Sequence, residues 1–393
     1  MAAAGTRTSG WGTLVRAFTL ARAAAAVAGV IVGLAALAWP AGTAGAAQAG
    51  PAATGYRTVG ELSGVAAVSA GNAWAVGATG SESAQKALML HWNGKSWTRV
   101  TSPKILDGTA GALSAVTVVS ATDAWAVGTV GGGLGHALIL HWNGKAWSQV
   151  AGVAAIGGAL YGVTATASGA WAVGVNLGQT FIAPLLLHWN GRAWSRASIK
   201  LNPASQSESI LAGVAVTGAK TAWAVGYTSQ GIPNSMLVRW NGSTWNAGTS
   251  FPLSGIQRSL DGVAAGPRGT AFAVGNGETG PFGGNGISVP LSMRWSGKSW
   301  LKTTVSVPKN SGLNSVTFAP GGTAWATGYH YTSASATSAL ITRWTGKTWA
   351  SVKVPSGSYQ LAGLGFAAAG NGWAVGARGA DTLILHWNGH SWS

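Results

Sequence analysis

The chain has 393 residues, of which 47% are hydrophobic and only 8% are charged, so its composition excludes a highly charged, disordered protein. Its 24 lysines and arginines outnumber eight acids, which makes the protein basic but sparsely charged. The absence of cysteine excludes disulfide bonds, thiol catalysis and cysteine metal sites.

The first 49 residues predict an export signal. A basic stretch that ends at Arg22 precedes an uncharged apolar run from Ala23 to Trp39, and the segments 44–46 and 47–49 both match the small-x-small cleavage pattern. Cleavage near residues 46–49 would leave a secreted or envelope-associated chain without a membrane span. An uncleaved anchor is the alternative, because 17 apolar residues lie at the lower limit for a spanning helix.

From residue 62 to residue 393 the chain repeats itself seven times. Each copy contains an L-x-x-V-type block, then AWAVG or a close variant, then a block such as LMLHWNGKSW. Each copy predicts four short strands, which in the first copy span about 62–68, 73–77, 87–92 and 97–100. Four strands per repeat of about fifty residues is typical of a β-propeller, so the sequence predicts an all-β, seven-bladed propeller with four antiparallel strands per blade.

Side-chain alternation on the second strand explains how the blades would pack. Trp74 and Val76 point to one side of the strand, whereas Ala73, Ala75 and Gly77 point to the other. We therefore expect the bulky face of each blade to pack on the small face of its neighbour.

Ring closure is the least determined part of this prediction. The last copy stops at Trp392 and Ser393, which leaves only a stub for its fourth strand. Within the N-terminal segment 50–61, residues 56–59 are a candidate closing strand, and a frayed last blade is the alternative.

The repeats carry a resemblance to known propellers. GWAVG followed by a hairpin that ends in G-x-x-W resembles the repeats of photosystem II assembly-factor-like propellers and, more loosely, the Asp-box repeats of sialidase-type propellers. The AWAVG and HWNGxxW blocks also resemble those of secreted bacterial proteins. The Asp of the Asp box is replaced here by Asn, Ser or Thr, and no functional residue carries over from these families.

The polar residues give little support to catalysis. Four histidines occupy one repeat position that holds arginine in the other copies, so we expect them to bond nearby backbone atoms rather than a metal: His91, His141, His188 and His386. We assign three acids, Glu82, Glu278 and Asp381, to loops between second and third strands. We assign two more, Asp107 and Glu208, to the connections between blades. Two of these acids, or one of them with His330, within about 5–10 Å would favour a hydrolase or lyase at the axial channel mouth. No cofactor motif is found.

A second feature is a set of basic residues at the hairpin tips, directly after the glycine. Closed into a ring, they would form a basic rim for an anionic envelope polymer or lipid headgroups, or merely keep the edges soluble: Lys95, Lys145, Arg192, Lys298 and Lys347. Nucleic acid is not an expected partner, because the leader predicts export and no arginine-rich groove is visible.

The variable loops lie on the opposite face of the predicted propeller. We assign five aromatic residues to these loops as candidate binding groups: Phe181, Tyr227, Phe282, Tyr329 and Tyr331. Because binding usually resides in loops on a rigid scaffold, the sequence favours a monomeric, non-catalytic binding propeller for a glycan, peptide or protein. A hydrolase or lyase and an envelope-binding protein are the alternatives.

Overall fold

A computed structural model describes the chain from residue 56 onward with several gaps. The described residues are 56–80, 85–103, 106, 109–131, 135–153, 155–177, 182–201, 209–218, 220–228, 234–248, 256–279, 287–333 and 336–393. The predicted export signal lies outside them. None of the described residues forms a helix with the length and apolar character needed to span a bilayer.

The described residues form the predicted seven-bladed, almost entirely β-stranded propeller. Each blade is an up-and-down antiparallel meander that starts at the inner strand. Blade 1 contains β1 (Glu61–Ser69), β2 (Asn72–Thr79), β3 (Lys86–Trp92) and β4 (Trp97–Arg99). Blade 2 contains β5 (Gly111–Ser120), β6 (Asp123–Val130), β7 (His136–Trp142) and β8 (Trp147–Gln149), and blade 3 contains β9 (Gly158–Thr166), β10 (Gly169–Asn176), β11 (Ala183–Trp189) and β12 (Trp194–Arg196).

The remaining blades follow the same order, and two of them gain a short parallel strand from the preceding connection. Blade 4 contains β13 (Ile199–Lys200), β14 (Ser209–Gly218), β15 (Thr221–Thr228), β16 (Asn234–Trp240) and β17 (Trp245–Ala247). Blade 5 contains β18 (Ile256–Ala265), a 3-10 helix (Pro267–Gly269), β19 (Ala271–Thr279), β20 (Ile287–Trp295) and β21 (Trp300–Lys302). Blade 6 contains β22 (Thr304–Ser306), β23 (Ser311–Phe318), β24 (Ala324–Tyr331), β25 (Thr337–Trp344) and β26 (Thr348–Val352), and blade 7 contains β27 (Gln360–Ala368), β28 (Asn371–Arg378) and β29 (Asp381–Trp387).

The blades stack with bulky faces against small faces, which confirms the packing predicted from the alternation. Trp74 and Val76 of blade 1 lie in one buried cluster with Ala124 and Ala126 of blade 2. Seven such clusters are found among the described residues, one for each interface between neighbouring blades. The cluster between blades 7 and 1 contains Trp373, so the stack closes into a ring.

Each interface contains a set of three aromatic rings. The second-strand aromatic of one blade meets the two tryptophans that flank the hairpin of the next blade, as Trp74 meets Trp142 and Trp147 at ring-centroid distances of 4.9 and 5.0 Å. Phe272 takes the indole position between blades 5 and 6. Burying one such side chain contributes about 4–6 kcal/mol before the cost in conformational entropy.

The glycine of AWAVG allows the second strand to lie close to a bulge in the inner strand. A Cβ built on Gly77 would lie 2.0 Å from the carbonyl oxygen of Glu61, and the equivalent glycine of every other blade meets the same obstacle. The inner strand bulges at the facing position, where Ser63 has no partner in the pairing between Leu62 and Gly64. Any larger residue in place of this glycine would push the two inner strands apart.

The hairpin between the third and fourth strands is held by a side-chain cap. The Asn93 Oδ1 accepts hydrogen bonds of 3.0 Å from the backbone N–H groups of Lys95 and Ser96, while Gly94 adopts a positive φ of 92°. Ser296 and Thr345 accept the equivalent pair of bonds through their hydroxyl oxygens. Only the glycine needs a positive φ in these turns, so Ser and Thr replace Asn without strain.

Two short segments lie beside the third strand of blade 7. Val59 forms an antiparallel bridge with Asp381, and the Thr382 N–H donates to the Thr58 carbonyl at 2.9 Å. At the other end of the same strand, Ser393 exchanges two backbone hydrogen bonds with His386. The outer position of this blade is therefore shared between the segment before β1 and the C-terminal residues.

Candidate binding site at the axial mouth

The inner strand of each blade carries a bulge near the end at which the second strand leaves for the third. In each blade one residue is skipped there in the pairing with the second strand. Most of these positions hold small residues, but blades 3, 5 and 6 carry larger polar or aromatic ones. In chain order the seven bulge residues are Ser63, Ser114, Tyr161, Ala212, Asp261, Asn314 and Ala362.

Asp261 is the acidic member of this set. Its Oδ2 accepts a hydrogen bond of 2.8 Å from the Asn276 amide and one of 3.2 Å from the Ser259 hydroxyl. Within the described residues no hydrogen bond reaches Oδ1. Enclosure by the protein raises the Asp261 pKa to about 7 against the opposing effect of these two hydrogen bonds, although the side chain keeps partial contact with solvent. Asp261 therefore changes its charge near neutral pH.

Two buried tyrosines belong to the same region. Burial raises the pKa of the Tyr161 hydroxyl, and burial followed by the nearby charges of Asp261 and Tyr161 raises that of Tyr227. Tyr161 is 6% exposed, and among the described residues its hydroxyl has no hydrogen-bond partner. The Tyr161 side chain is thus enclosed by the protein next to the bulge of its inner strand.

Tyr329 forms the blade 6 side of the region. Its hydroxyl lies 3.2 Å from the Ser288 Oγ, and Ser288 in turn donates to the Ser311 carbonyl. The Tyr329 ring meets the Tyr331 ring edge-on at a centroid distance of 4.9 Å. Burial raises the Tyr329 pKa, the hydrogen bond with Ser288 opposes this effect, and the charges of Tyr331, Asp261 and Glu278 add to it. We call this set of side chains from blades 3 to 6 the polar arc, which comprises Tyr161, Tyr227, Asp261, Asn276, Tyr329 and Tyr331.

The structure corrects the predicted positions of the aromatic candidates. Tyr227, Tyr329 and Tyr331 belong to the second strands β15 and β24 rather than to loops, because these strands continue beyond the glycine of the repeat. Tyr227 is also buried, so it supports the site instead of presenting an open ring. Tyr329 and Tyr331 are half-buried and remain candidates for ligand contact. Phe181 and Phe282 lie outside the described residues.

The predicted acids do not form a cluster within the described part of the chain. Glu278 lies in β19 and Asp381 in β29, so both belong to strands rather than to loops, and they are on different blades. Asp381 pairs with Arg57 at 2.6 Å, and His330 lies 3.3 Å from the Ser311 hydroxyl. Glu82, Asp107 and Glu208 lie outside the described residues. No group of three or more His, Asp or Glu side chains suited to a metal ion occurs among the residues described.

The repeated histidines and arginines have a structural role, but their partners differ from the expected backbone atoms. His91 bonds Asn72 at 3.1 Å, and its ring lies tilted against Trp74 with ring centroids 4.4 Å apart, while His141 stacks on Trp125 at 4.1 Å. In other copies Arg239 and Arg343 lie over indole rings at 5.4–5.7 Å. A flat cation or imidazole fits the same place on the tryptophan face, which explains why His and Arg alternate there.

The predicted rim residues all lie exposed in the hairpin turns, on the end of the propeller opposite to the polar arc: Lys95, Lys145, Arg192, Lys298 and Lys347. A small cavity between blades 4 and 5 is lined by Ser235, Arg258 and Ser292, among others. With a volume of about 10 Å³ it has room for about one water molecule, so it does not hold a ligand.

Sequence reasoning missed Asp261, although a signal was present. When the seven L-x-x-V-type blocks are aligned, Asp261 is the only acid among the seven residues that directly follow the leucine. The sequence alone does not show that the inner strand bulges at this position. Regular alternation assigns the residue to an ordinary strand face, whereas the bulge removes it from the pairing and brings its carboxyl group within 2.8 Å of the Asn276 amide.

Comparisons with known proteins extend only to structure. No family model matches the chain, and no curated protein matches its sequence. Solved propellers do match it. YCF48 bound to D1 peptide is 15% identical, with 83% of this chain and 93% of that chain covered and a TM-score of 0.52. A polysaccharide lyase, ulvan lyase bound to -[GlcA(1-4)Rha3S]-, is 8% identical, with coverages of 86% and 97% and a TM-score of 0.56.

A third similar structure is a GH74 xyloglucanase from Xanthomonas campestris, which is 13% identical with a TM-score of 0.55. The alignment covers 87% of this chain but only 55% of the xyloglucanase, so this chain spans about half of that protein. These similarities establish the seven-bladed propeller fold. At such low identities they establish the fold alone.

Proposed function

We propose that the protein is a non-catalytic binding propeller that holds a short glycan segment against the polar arc at the mouth of its axial channel. The observation that carries this proposal is the one-sided distribution of polar groups around the axis. Blades 3 to 6 supply the carboxyl group, the amide and the tyrosines, whereas the bulge positions of blades 7, 1 and 2 are Ala362, Ser63 and Ser114.

The chemistry of the polar arc suits a sugar. Asp261 and Asn276 supply an acceptor and a donor beside one another, and sugar hydroxyl groups both donate and accept. Tyr329 and Tyr331 add half-buried aromatic surface, which complements the apolar face of a sugar ring. Similar propellers whose names include a glycan-cleaving activity, and one bound to a peptide, show that this fold accommodates both ligand classes.

The test is a microarray of defined neutral and acidic oligosaccharides, followed by calorimetric titration of the best oligosaccharide with the full chain and its variants. Losing a hydrogen bond to a charged group costs about 1.5–3 kcal/mol, so Asp261→Asn should weaken binding about 10-fold to 100-fold above pH 8. Tyr331→Ala should also weaken it. Asp381→Asn and Tyr56→Phe are the matched controls and should bind like the parent chain. Binding to peptides alone, or equal losses in arc and control variants, would contradict the proposal.

A second candidate, a glycan-cleaving enzyme, is favoured by one observation. The Asp261 pKa of about 7 suits a general acid or base at neutral pH, and Glu278, two residues beyond the Asn276 that bonds Asp261, is the candidate second carboxyl group. Paired carboxyl groups about 5–10 Å apart perform glycoside hydrolysis. Incubating the protein with the oligosaccharide that it binds should then yield new reducing ends or unsaturated products. Asp261→Asn should abolish them, and intact oligosaccharide after prolonged incubation would exclude this candidate.

A further inference from the structure

We propose that the end of the propeller opposite to the polar arc docks on the surface of an anionic phospholipid bilayer. This end, which we call the basic end, is formed by the turns between first and second strands and between third and fourth strands. Ten exposed lysines and arginines lie in these turns or one residue before the end of the third strand that leads into them: Lys95, Lys145, Arg192, Lys220, Arg239, Arg268, Arg294, Lys298, Arg343 and Lys347.

The acids are segregated away from the basic end. Of the five acidic residues in the described part of the chain, only Asp123 lies there, and its carboxylate is 3.0 Å from the His141 ring. Asp261, Glu278 and Asp381 lie at the inner bulge or near the opposite ends of their strands. A surface with many exposed cations and a single acid attracts anionic partners and orients the molecule as it approaches them.

The geometry of the basic end favours a planar partner. The hairpin tips are equivalent positions of seven equivalent blades, and the same side-chain cap holds each tip, so the tips lie at one level around the ring. A planar bilayer can meet all of the tips at once, whereas a linear polyanion would follow only part of the circle. The large hydrophobic residues that are exposed in the described chain are Val59, Ile287 and Leu301, and none of them lies in a hairpin turn. Binding should therefore be electrostatic and reversible, without insertion into the bilayer.

Docking in this way would turn the polar arc away from the bilayer. The turns of the basic end and the connections between second and third strands lie at opposite ends of every blade. The proposed glycan site would then face solution while the protein is held at the membrane surface. The two proposals remain independent, because they involve different residues and different partners.

The experiment measures how the full chain sediments with vesicles of phosphatidylcholine that contain about one-third phosphatidylglycerol. Each basic residue near an anionic surface contributes about 1 kcal/mol, or about fivefold in the partition coefficient. Changing Lys95, Lys145, Lys298 and Lys347 together to Glu should therefore lower partitioning at least 100-fold. Raising the salt from about 0.05 to about 0.5 M should remove most of the difference in partitioning between the parent chain and this variant.

The matched control changes Arg99, Arg196, Lys302 and Lys353 to Glu, because these residues are exposed on the outer strands or just beyond them and the net charge changes equally. Partitioning of this control should fall less than fivefold, and circular dichroism should show both variants folded. Residues 1–49 are present in every protein, so their contribution cancels. Equal losses in both variants would mean that only the total charge matters and would overturn the proposal. Tight binding to soluble polyphosphate without binding to vesicles would overturn it as well.

Discussion

The strongest prediction concerns Asp261 and the pH dependence of stability. In Asp261→Asn the amide oxygen can still accept the hydrogen bonds from Asn276 and Ser259, so the geometry of the bulge is retained while the charge is removed. The parent carboxyl group has a pKa of about 7 in the folded chain, against 3.8 for an unperturbed aspartate. Between these values the folded state binds more protons than the unfolded state, so the stability due to this group falls as the pH rises from about 4 to about 7.

The size of the effect follows from the two pKa values. Each unit of difference in pKa corresponds to about 1.4 kcal/mol, so ionised Asp261 costs the native state about 4 kcal/mol of unfolding free energy above pH 7. Asp261→Asn should therefore be more stable than the parent chain by about 4 kcal/mol near pH 8 and nearly equal to it near pH 4. Between about pH 4.5 and pH 6.5 the difference should grow by about 1.4 kcal/mol per pH unit.

The assay is urea denaturation of both proteins at a series of pH values, followed by tryptophan fluorescence. The free energy of the parent is subtracted from that of the variant, which cancels the contributions of the histidines. Asp123→Asn is the matched control, because it removes a partly exposed carboxylate whose ion pair contributes no more than about 1 kcal/mol. A difference between Asp261→Asn and the parent that does not change with pH would refute the raised pKa of the Asp261 carboxyl group.

Three further predictions test the scaffold. Burial lowers the pKa of His188, so the contribution of this residue to stability is complete above about pH 6.5 and declines as the pH falls. Because arginine fills the same position in other blades, the denaturation midpoint of His188→Arg should fall less with acid than that of the parent chain. Trp373→Ala should cost about 3–5 kcal/mol in urea titrations, whereas Trp373→Phe should cost much less, since Phe272 occupies the equivalent place in blade 5. Asn93→Ala should lower the unfolding free energy by about 1 kcal/mol through loss of the turn cap, whereas Asn93→Ser should change it little. Equal losses in both variants would contradict the capping role of Asn93.

The architecture could be predicted from the sequence because it is repeated. The alternation of Trp74 and Val76 with alanines specifies both faces of a strand, and seven copies of that pattern specify seven interfaces that exclude water in the same way. The boundary of the second strand was less accessible. In sequence, the glycine of AWAVG is typical of the end of a strand, and on that pattern Tyr227, Tyr329 and Tyr331 fall in loops. In the structure Gly77 lies inside β2, and the glycine is needed there because a side chain would collide with the inner strand.

The candidate site could not be predicted because it depends on departures from the repeat. In blades 7, 1 and 2 the bulge position and the residue after the AWAVG glycine are both small, whereas blades 3 to 6 each carry at least one larger polar or aromatic residue there. The core tryptophans, the turn caps and the stacked histidines pack further along each blade, so a change at the bulge leaves their contacts intact. This separation allows one blade to acquire Asp261 and Asn276 without loss of its interfaces. A candidate binding site can therefore arise on the inner strands through single substitutions, while the seven aromatic interfaces continue to stabilise the ring.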